Sequence, residues 1–228
     1  MKLYLIIIFL FLSKIVNANT FDQALKDYNN ENYEAAFKQF LTLAENGDEE
    51  AIFRVGVMYM DGEGVEQNCT EAIHWYKKLA EKDHLDSIFN IGIIYNAGTC
   101  IEGDNLEALK WYNKAADLGD DEALYYAAQI YSDMKEYKKS FEYFLESSLL
   151  NNSYSMYNVG YQYYYGHGVR RDYFKSYIWI KLAILSGNDD EFTNENLKIV
   201  KERLNWKRLQ IANEKVEECF NNDLSACA

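Results

Sequence analysis

The sequence predicts an all-α solenoid of helix-turn-helix repeats. Two residue patterns recur along it at a fixed interval, and its aromatic content exceeds what one small helical core requires. The first pattern is Ala51-x-x-x-Val55-Gly56-x-x-Tyr59-x-x-Gly62, which returns 36 residues later as Ser87-x-x-x-Ile91-Gly92-x-x-Tyr95-x-x-Gly98. Ala123-x-x-x-Ala127-Ala128-x-x-Tyr131 and Ser155-x-x-x-Val159-Gly160-x-x-Tyr163-x-x-Gly166 follow at intervals of 36 and 32. The second pattern runs Ala72-x-x-Trp75-Tyr76, Ala108-x-x-Trp111-Tyr112, Ser140-x-x-Tyr143-Phe144 and Ser176-x-x-Trp179-Ile180, with Ala36-x-x-Gln39-Phe40 as an upstream copy. The chain holds 20 Tyr, 12 Phe and 4 Trp. Self-similarity with a period of about 20–50 residues is the signature of stacked repeats, and two motifs per period give two helices per repeat.

The chain opens on a leader. Lys2 precedes the apolar run Leu3–Leu12, and Val16-Asn17-Ala18 supplies small residues for cleavage after Ala18. The run is too short to span a bilayer, no later stretch reaches the roughly 18 apolar residues a span needs, and no cysteine follows closely enough for a lipid anchor. The mature chain is therefore expected in the periplasm or secreted, without a membrane span. Removing Lys2 and Lys14 with the leader takes the net charge from -13 to -15, which disfavours nucleic acid and anionic lipid surfaces.

Five helical-hairpin repeats come next, at about 20–48, 49–84, 85–120, 121–152 and 153–188, followed by capping helices and a tail over 189–228. There is no proline and no Gly/Ser-rich linker at which to divide them. Offsets 0, 4, 5 and 8 of the first motif fall at about 0°, 40°, 140° and 80° on a helix, so they share one face. Ala and Gly on that face permit close helix approach, and the recurring Tyr and the Trp-Tyr pairs fill the space around it. Gly62-Glu63-Gly64 and Gly166-His167-Gly168 offer the positive φ needed after the first helix. The third repeat has Cys100 at the second Gly position, and the fourth replaces the loop with Met134-Lys135-Glu136-Tyr137.

The Gly-x-x-Tyr-x-x-Gly-x-Gly-Val and Ala-x-x-Trp-Tyr sequences resemble the Sel-1-like repeat, a relative of the tetratricopeptide repeat with a longer inter-helix loop. The units at 49–84, 85–120 and 153–188 match well. Those containing Asn30-Glu31-Asn32-Tyr33 and Lys135-Glu136-Tyr137 are nearer the short-loop tetratricopeptide form. The resemblance spans roughly residues 20 to 188. It implies a right-handed superhelix acting as an adaptor in protein assemblies, with no particular partner implied.

Offsets 2, 6 and 9 of each first helix lie opposite the packing face, the side that lines the concave surface in related repeats. Offset 2 reads Phe53, Phe89, Tyr125 and Tyr157; offset 6 reads Val57, Ile93, Gln129 and Tyr161; offset 9 reads Met60, Asn96, Ser132 and Tyr164. The candidate partner-binding residues are therefore Phe53, Phe89, Tyr125, Tyr157, Tyr161 and Tyr164. The competing reading is that these rings pack against their own or neighbouring hairpins.

Catalysis has little support. His74, His84 and His167 have no Ser or Cys at a recognisable motif spacing. Glu49-Glu50, Asp120-Asp121-Glu122 and Asp189-Asp190-Glu191 sit before helices, where negative charge is favourable. Asp61-Gly62-Glu63-Gly64 lacks the remaining ligand positions of a calcium loop. No cofactor motif, CxxC pair or His cluster is present, so neither a cofactor nor a metal is expected. Four cysteines in an exported chain point to two disulfides among three connectivities. Cys69 and Cys100 occupy inter-helix regions of adjacent repeats, and Cys219 and Cys227 are close in sequence, which favours those pairs. The β-lactam-binding, cysteine-rich branch of the family carries a regular cysteine pair in each repeat; that pattern is absent, so its activity is not carried over. The sequons at Asn68 and Asn151 matter only in a glycosylating pathway, and the short leader is bacterial in type.

Three functions fit these observations in descending order. One is an exported adaptor that holds a protein on its concave aromatic strip, and the second is a periplasmic immunity protein that neutralises a toxic, basic effector. The third is a hydrolase or antibiotic-binding protein, which the residue patterns support least.

Overall fold

The computed structural model describes residues 20–221 and 224–227, and the expected leader lies outside them. Helix follows helix, and no strand occurs among the described residues. The elements are α1 (20–29), α2 (Tyr33–Glu45), α3 (Glu49–Asp61), α4 (Cys69–Ala80), α5 (Leu85–Ala97), α6 (Asn105–Asp117), α7 (Asp121–Asp133), α8 (Tyr137–Leu149), α9 (Ser153–Tyr165), α10 (Tyr173–Leu185), α11 (Glu191–Lys201) and α12 (Trp206–Asn221). A single 3₁₀ turn, Leu224–Cys227, follows. None of the described helices is long and apolar enough to cross a membrane. The described residues fall into two units, divided between Trp111 and Tyr112. In the first, α2 packs on α3, α3 on α4 and α4 on α5; in the second, α7 through α10 pack in sequence, and α10 also meets α11 and α12.

The turns between hairpins repeat one device. Gly47, Asp83, Gly119, Asn151 and Gly187 all have positive φ, between 57° and 106°. The residue after each returns its N–H to a carbonyl five positions back, as in Asp48 to Leu43 (3.1 Å) and Asn152 to Ser147 (3.2 Å). Four of those five residues then cap the next helix. The side chains of Asp48, His84, Asp120 and Asn152 accept from the N–H groups of Ala51, Ser87, Ala123 and Ser155. These bonds satisfy carbonyls at one helix end and amides at the next. His84, which the sequence placed merely at a repeat end, is thus a helix cap through Nδ1.

The loop inside each hairpin explains the interval of 32. In the four hairpins that carry the recurring tyrosine, the second helix begins where the cap N–H reaches that tyrosine's main-chain carbonyl; in the first hairpin Asn32 reaches Asp27 instead, at 2.9 Å. Asn68 bonds Tyr59 (2.8 Å), Asp104 bonds Tyr95 (2.9 Å), Glu136 bonds Tyr131 (2.8 Å) and Asp172 bonds Tyr163 (2.9 Å). Three loops cover nine positions and the Lys135-Glu136 loop covers five, yet the endpoint is the same. Four residues can be deleted because the deleted segment lies between the two ends of that bond and supplies neither of them.

Small residues set the helix separation. A Cβ built on Gly56 would lie 2.5 Å from the ring of Tyr76, and one on Gly160 would lie 2.6 Å from Ile180 Cγ1. Phe40, Tyr76, Tyr112, Phe144 and Ile180, the column ending the second motif, are all buried. So are Ala51, Ser87, Ala123 and Ser155 at the head of the first motif. Two of the recurring tyrosines meet the preceding hairpin, Tyr59 on Phe37 at 5.1 Å and 86° and Tyr163 on Phe141 at 5.2 Å and 84°, whereas Tyr131 meets Tyr143 of its own hairpin at 5.1 Å. Edge-on geometry places a ring's positive rim on its partner's negative face.

Consecutive hairpins are joined at a second close approach. The second glycine of the Gly-x-Gly loop lies on the backbone that opens the preceding second helix. A side chain on Gly64 would collide with the carbonyl of Tyr33, and one on Gly168 with the carbonyl of Tyr137. The equivalent pair in the 85–120 repeat is Cys100 and Cys69, and the structure links them, with Cα atoms 5.8 Å apart. Cys219 and Cys227 are also bonded, at 6.0 Å, and hold the last turn against α12.

Two outcomes are expected. Gly64→Ala and Gly47→Ala both force a side chain into the left-handed region, at a cost of about 1 kcal/mol each. Only Gly64 also meets a backbone, so urea melts of the two variants should show Gly64→Ala as the less stable by about 1–3 kcal/mol. Replacing both Cys69 and Cys100 with Ala should lower stability by about 4 kcal/mol, the loss expected for opening a loop of this length. Calorimetry of the purified, oxidised parent and the double variant measures it.

Candidate functional site

The six sequence-derived binding residues divide between the units. In the first unit, Phe53 is half-buried within its own hairpin, its ring 5.7 Å from Tyr76 and 5.4 Å from His84. Phe89 is half-buried on α5. The remaining four belong to the second unit. Tyr125 packs on Phe144 at 5.8 Å, and its hydroxyl accepts from Gln129 at 2.7 Å. Tyr157, Tyr161 and Tyr164 stand on α9 with four- and three-residue spacing, which places them on adjoining parts of one helix surface.

These three are not equivalent. Tyr157 is half-buried, and its ring lies 5.8 Å from Phe192 at the start of α11. Burial pushes its phenol up to about 12. Tyr164 is also half-buried, packed on Tyr173 at 5.2 Å. Tyr161 is 37% exposed. The sequence treated all three as lying opposite the packing surface, and no repeat pattern in 191–201 announces that α11 folds against this side of α9.

Between α9 and α11 a small cleft of about 50 Å³ remains. Tyr157, Tyr161, Tyr164 and Tyr165 form one wall, and Asn196, Ile199 and Val200 form the other, over Ile180. The aromatic surface continues beyond it. Tyr161 contacts Tyr165 at 4.6 Å, Tyr165 stacks on His167 at 5.6 Å, and His167 stacks on Tyr137 at 4.6 Å and 18°. Tyr154, 58% exposed, begins the row one turn before Tyr157, and Tyr165, which the sequence columns omitted, is 47% exposed. Phe192 at 63% and Ile199 at 47% extend the apolar area onto α11. The surface thus offers rigid rings with hydroxyl rims and one shallow cleft, a geometry suited to contact with a partner's side chains. No group of three or more His, Cys, Asp or Glu side chains able to hold a metal occurs among the described residues.

A family model described as the Sel1 repeat matches residues 49–84, 85–120 and 153–188. Among solved structures, a Sel1 repeat protein from Oxalobacter formigenes is 23% identical, with a TM-score of 0.65 over 89% of this chain and 88% of that one. The protective antigen c5321 of uropathogenic Escherichia coli, which has the same repeat fold, is 24% identical with a TM-score of 0.51, over 92% of this chain and 54% of the antigen. MamA protein is 20% identical with a TM-score of 0.54, over 76% and 92% of the two chains. No curated protein matches the sequence significantly.

The environments on α9 predict different titrations. Tyr157 should ionise near 12, later than an exposed phenol, because burial disfavours the phenolate. A phenol with a raised native pKa contributes stability that is complete below the unfolded value of about 10 and is lost as pH climbs through the native one. Tyr157→Phe should therefore flatten the decline in stability between about pH 10 and 12, read from urea melts across that range, and remove one late-titrating phenol signal from carbon-13 tyrosine spectra.

Proposed function

Starting from a chain that carries three Sel1 repeats, we propose that it is an exported protein-binding scaffold whose second unit engages a partner through the aromatic surface of α9. The observation that carries this reading is the row Tyr154, Tyr161 and Tyr165, with Phe192 beside it, all exposed and all contiguous with packed rings. Exposed aromatics in such a row are tolerated mainly where a partner covers them, and Tyr supplies contact area with few rotamers to freeze. Tyr157 and Tyr164 support the row from beneath. Phe53 and Phe89 would serve a partner only through their exposed edges, so their role is the weaker part of the proposal.

Export is supported by the leader-like start and by the two cysteine pairs, which persist in oxidising compartments. Binding without turnover is supported by the site's composition. Phenols and aliphatic side chains offer contact area, and His167 is stacked between rings rather than paired with a nucleophile.

The test separates contact from scaffolding. Tyr161→Ala and Tyr165→Ala should each weaken partner association by about 1–2 kcal/mol while the melting temperature changes little. Tyr157→Ala should instead lose about 2–4 kcal/mol of stability, since it removes a packed ring. The measurement is affinity capture from the exported fraction with parent and variant baits, followed by titration of the captured protein. A partner held equally by the parent and by the Tyr161→Ala, Tyr165→Ala double variant would reject this surface.

A further inference from the structure

The second unit contains a cationic cleft that the aromatic row does not explain. The chain has 36 acidic residues against 23 Lys and Arg, and only five of the latter are arginines: Arg54, Arg170, Arg171, Arg203 and Arg208. Three of those five line a single cleft of about 470 Å³, together with Lys175. Arg170 and Arg171 come from the α9–α10 loop, Lys175 from the first turn of α10, and Arg208 from α12. Tyr163 and Tyr173 supply the walls.

Comparison among the repeats shows that folding does not require this charge. The positions equivalent to Arg170, Arg171 and Lys175 are Glu66, Gln67 and Glu71 in one repeat and Glu102, Gly103 and Glu107 in the next. All three loops make the same cap-to-tyrosine bond. Glu71 and Glu107 lie in the first turn of their helices, where an acidic side chain is favoured, whereas Lys175 in the same place opposes the helix dipole. Lys175 has an internal use: its ammonium donates to the Tyr163 hydroxyl at 3.4 Å and lies over that ring, as Lys139 of the 121–152 repeat does over Tyr131. Arg170 and Arg171 reverse the local charge with no such contact, and this calls for a different cause.

The arginines are not consumed internally. Arg170, Arg171 and Arg208 make no ion pair among the described residues. Arg171 reaches only the carbonyl of Tyr165, at 3.5 Å, and Arg208 lies over the ring of Phe174 at 5.4 Å. Asp172, the one carboxylate in the lining, already accepts the amides of Phe174 and Lys175 at 2.9 and 3.2 Å.

We propose that this cleft binds an acidic segment of a protein partner, its carboxylates paired with Arg170, Arg171 and Arg208. Guanidinium forks match carboxylates with two parallel hydrogen bonds. All three arginines are exposed, so a single small anion gains little from any one of them; several carboxylates on one chain are needed to add up. An extended polyanion such as nucleic acid would carry its charge past the cleft onto a strongly acidic chain. The inference rests on the reading that the chain binds a protein, but it uses a different surface from the aromatic row.

The test uses the full mature chain and fluorescent hexaglutamate at low ionic strength, with hexaglutamine, inorganic phosphate and an oligothymidylate as separate arms. The decisive variant carries the loop residues of the 49–84 repeat, R170E and R171Q, and leaves Lys175 on Tyr163. Hexaglutamate should bind the parent, release with added salt, and bind this variant about tenfold or more weaker, while circular dichroism and melting stay unchanged. The Tyr161→Ala, Tyr165→Ala double variant should bind hexaglutamate like the parent, so failure of the aromatic site and failure of the cleft read separately. No hexaglutamate binding, equal binding by the charge-reversed variant, or loss of that variant's fold would overturn the proposal. So would phosphate competing at equal concentration, which marks a site for small oxyanions, or tighter binding of the oligothymidylate.

Discussion

The approach of the two helices within a hairpin, at a residue with no side chain, is the constraint from which the rest follows. Gly56 lets Tyr76 lie against the backbone of α3, and Gly160 does the same for Ile180 on α9. With that separation fixed, the aromatic column of the second helices is sealed, and two of the recurring tyrosines are left on the side of the preceding hairpin, where Tyr59 and Tyr163 find Phe37 and Phe141. Residues of the remaining face either pack on the partner helix, as Phe53 does on Tyr76 and Tyr125 on Phe144, or stand exposed, as Tyr161 does.

The seam between α8 and α9 adds a polar element to this plan. Ser155 donates to Ser147, which donates to the carbonyl of Asp121, and Gln162 donates to Ser140, all at 2.7–2.8 Å. These side chains are nearly or fully buried, and the bonds offset the cost of removing them from water. A hydrocarbon seam would tolerate sliding by a fraction of a turn. Directional bonds fix the register of α9 on α8, and with it the direction in which the tyrosines point.

The parts of this design legible in the sequence are those that recur as side chains. The interval exposed the hairpins, the small residues exposed their contact face, and the loop positions of Cys69 and Cys100 exposed their pairing. Contacts made by backbone left no such trace. The meeting of Gly64 with Tyr33, and of Gly168 with Tyr137, involves a carbonyl rather than a ring, so Tyr33 and Tyr137 gave no sign of marking a junction. His84 was hidden because a histidine rarely stands where Asp48, Asp120 and Asn152 stand. The site itself was half legible. The tyrosine columns on α9 were visible, but α11 belongs to no repeat, so neither its cover over Tyr157 nor the arrival of Arg208 from α12 could be read from periodicity.

The Cys69–Cys100 link gives one junction a property its counterparts lack. Where Gly64 and Gly168 rest on bare backbone, the joint is made by shape and is indifferent to the surrounding chemistry. At Cys100 the same joint is made by a bond between two sulfurs, so its integrity is set by the electron supply of the compartment. A chain held back among cytosolic reductants would keep two thiols at that junction, with neither the bridge nor the bare-backbone fit of the other two. Its α5–α6 loop would then lack the tether that holds it to the start of α4 and would open more readily. Transit to an oxidising space would close it, so this junction works as a record of where the chain has been.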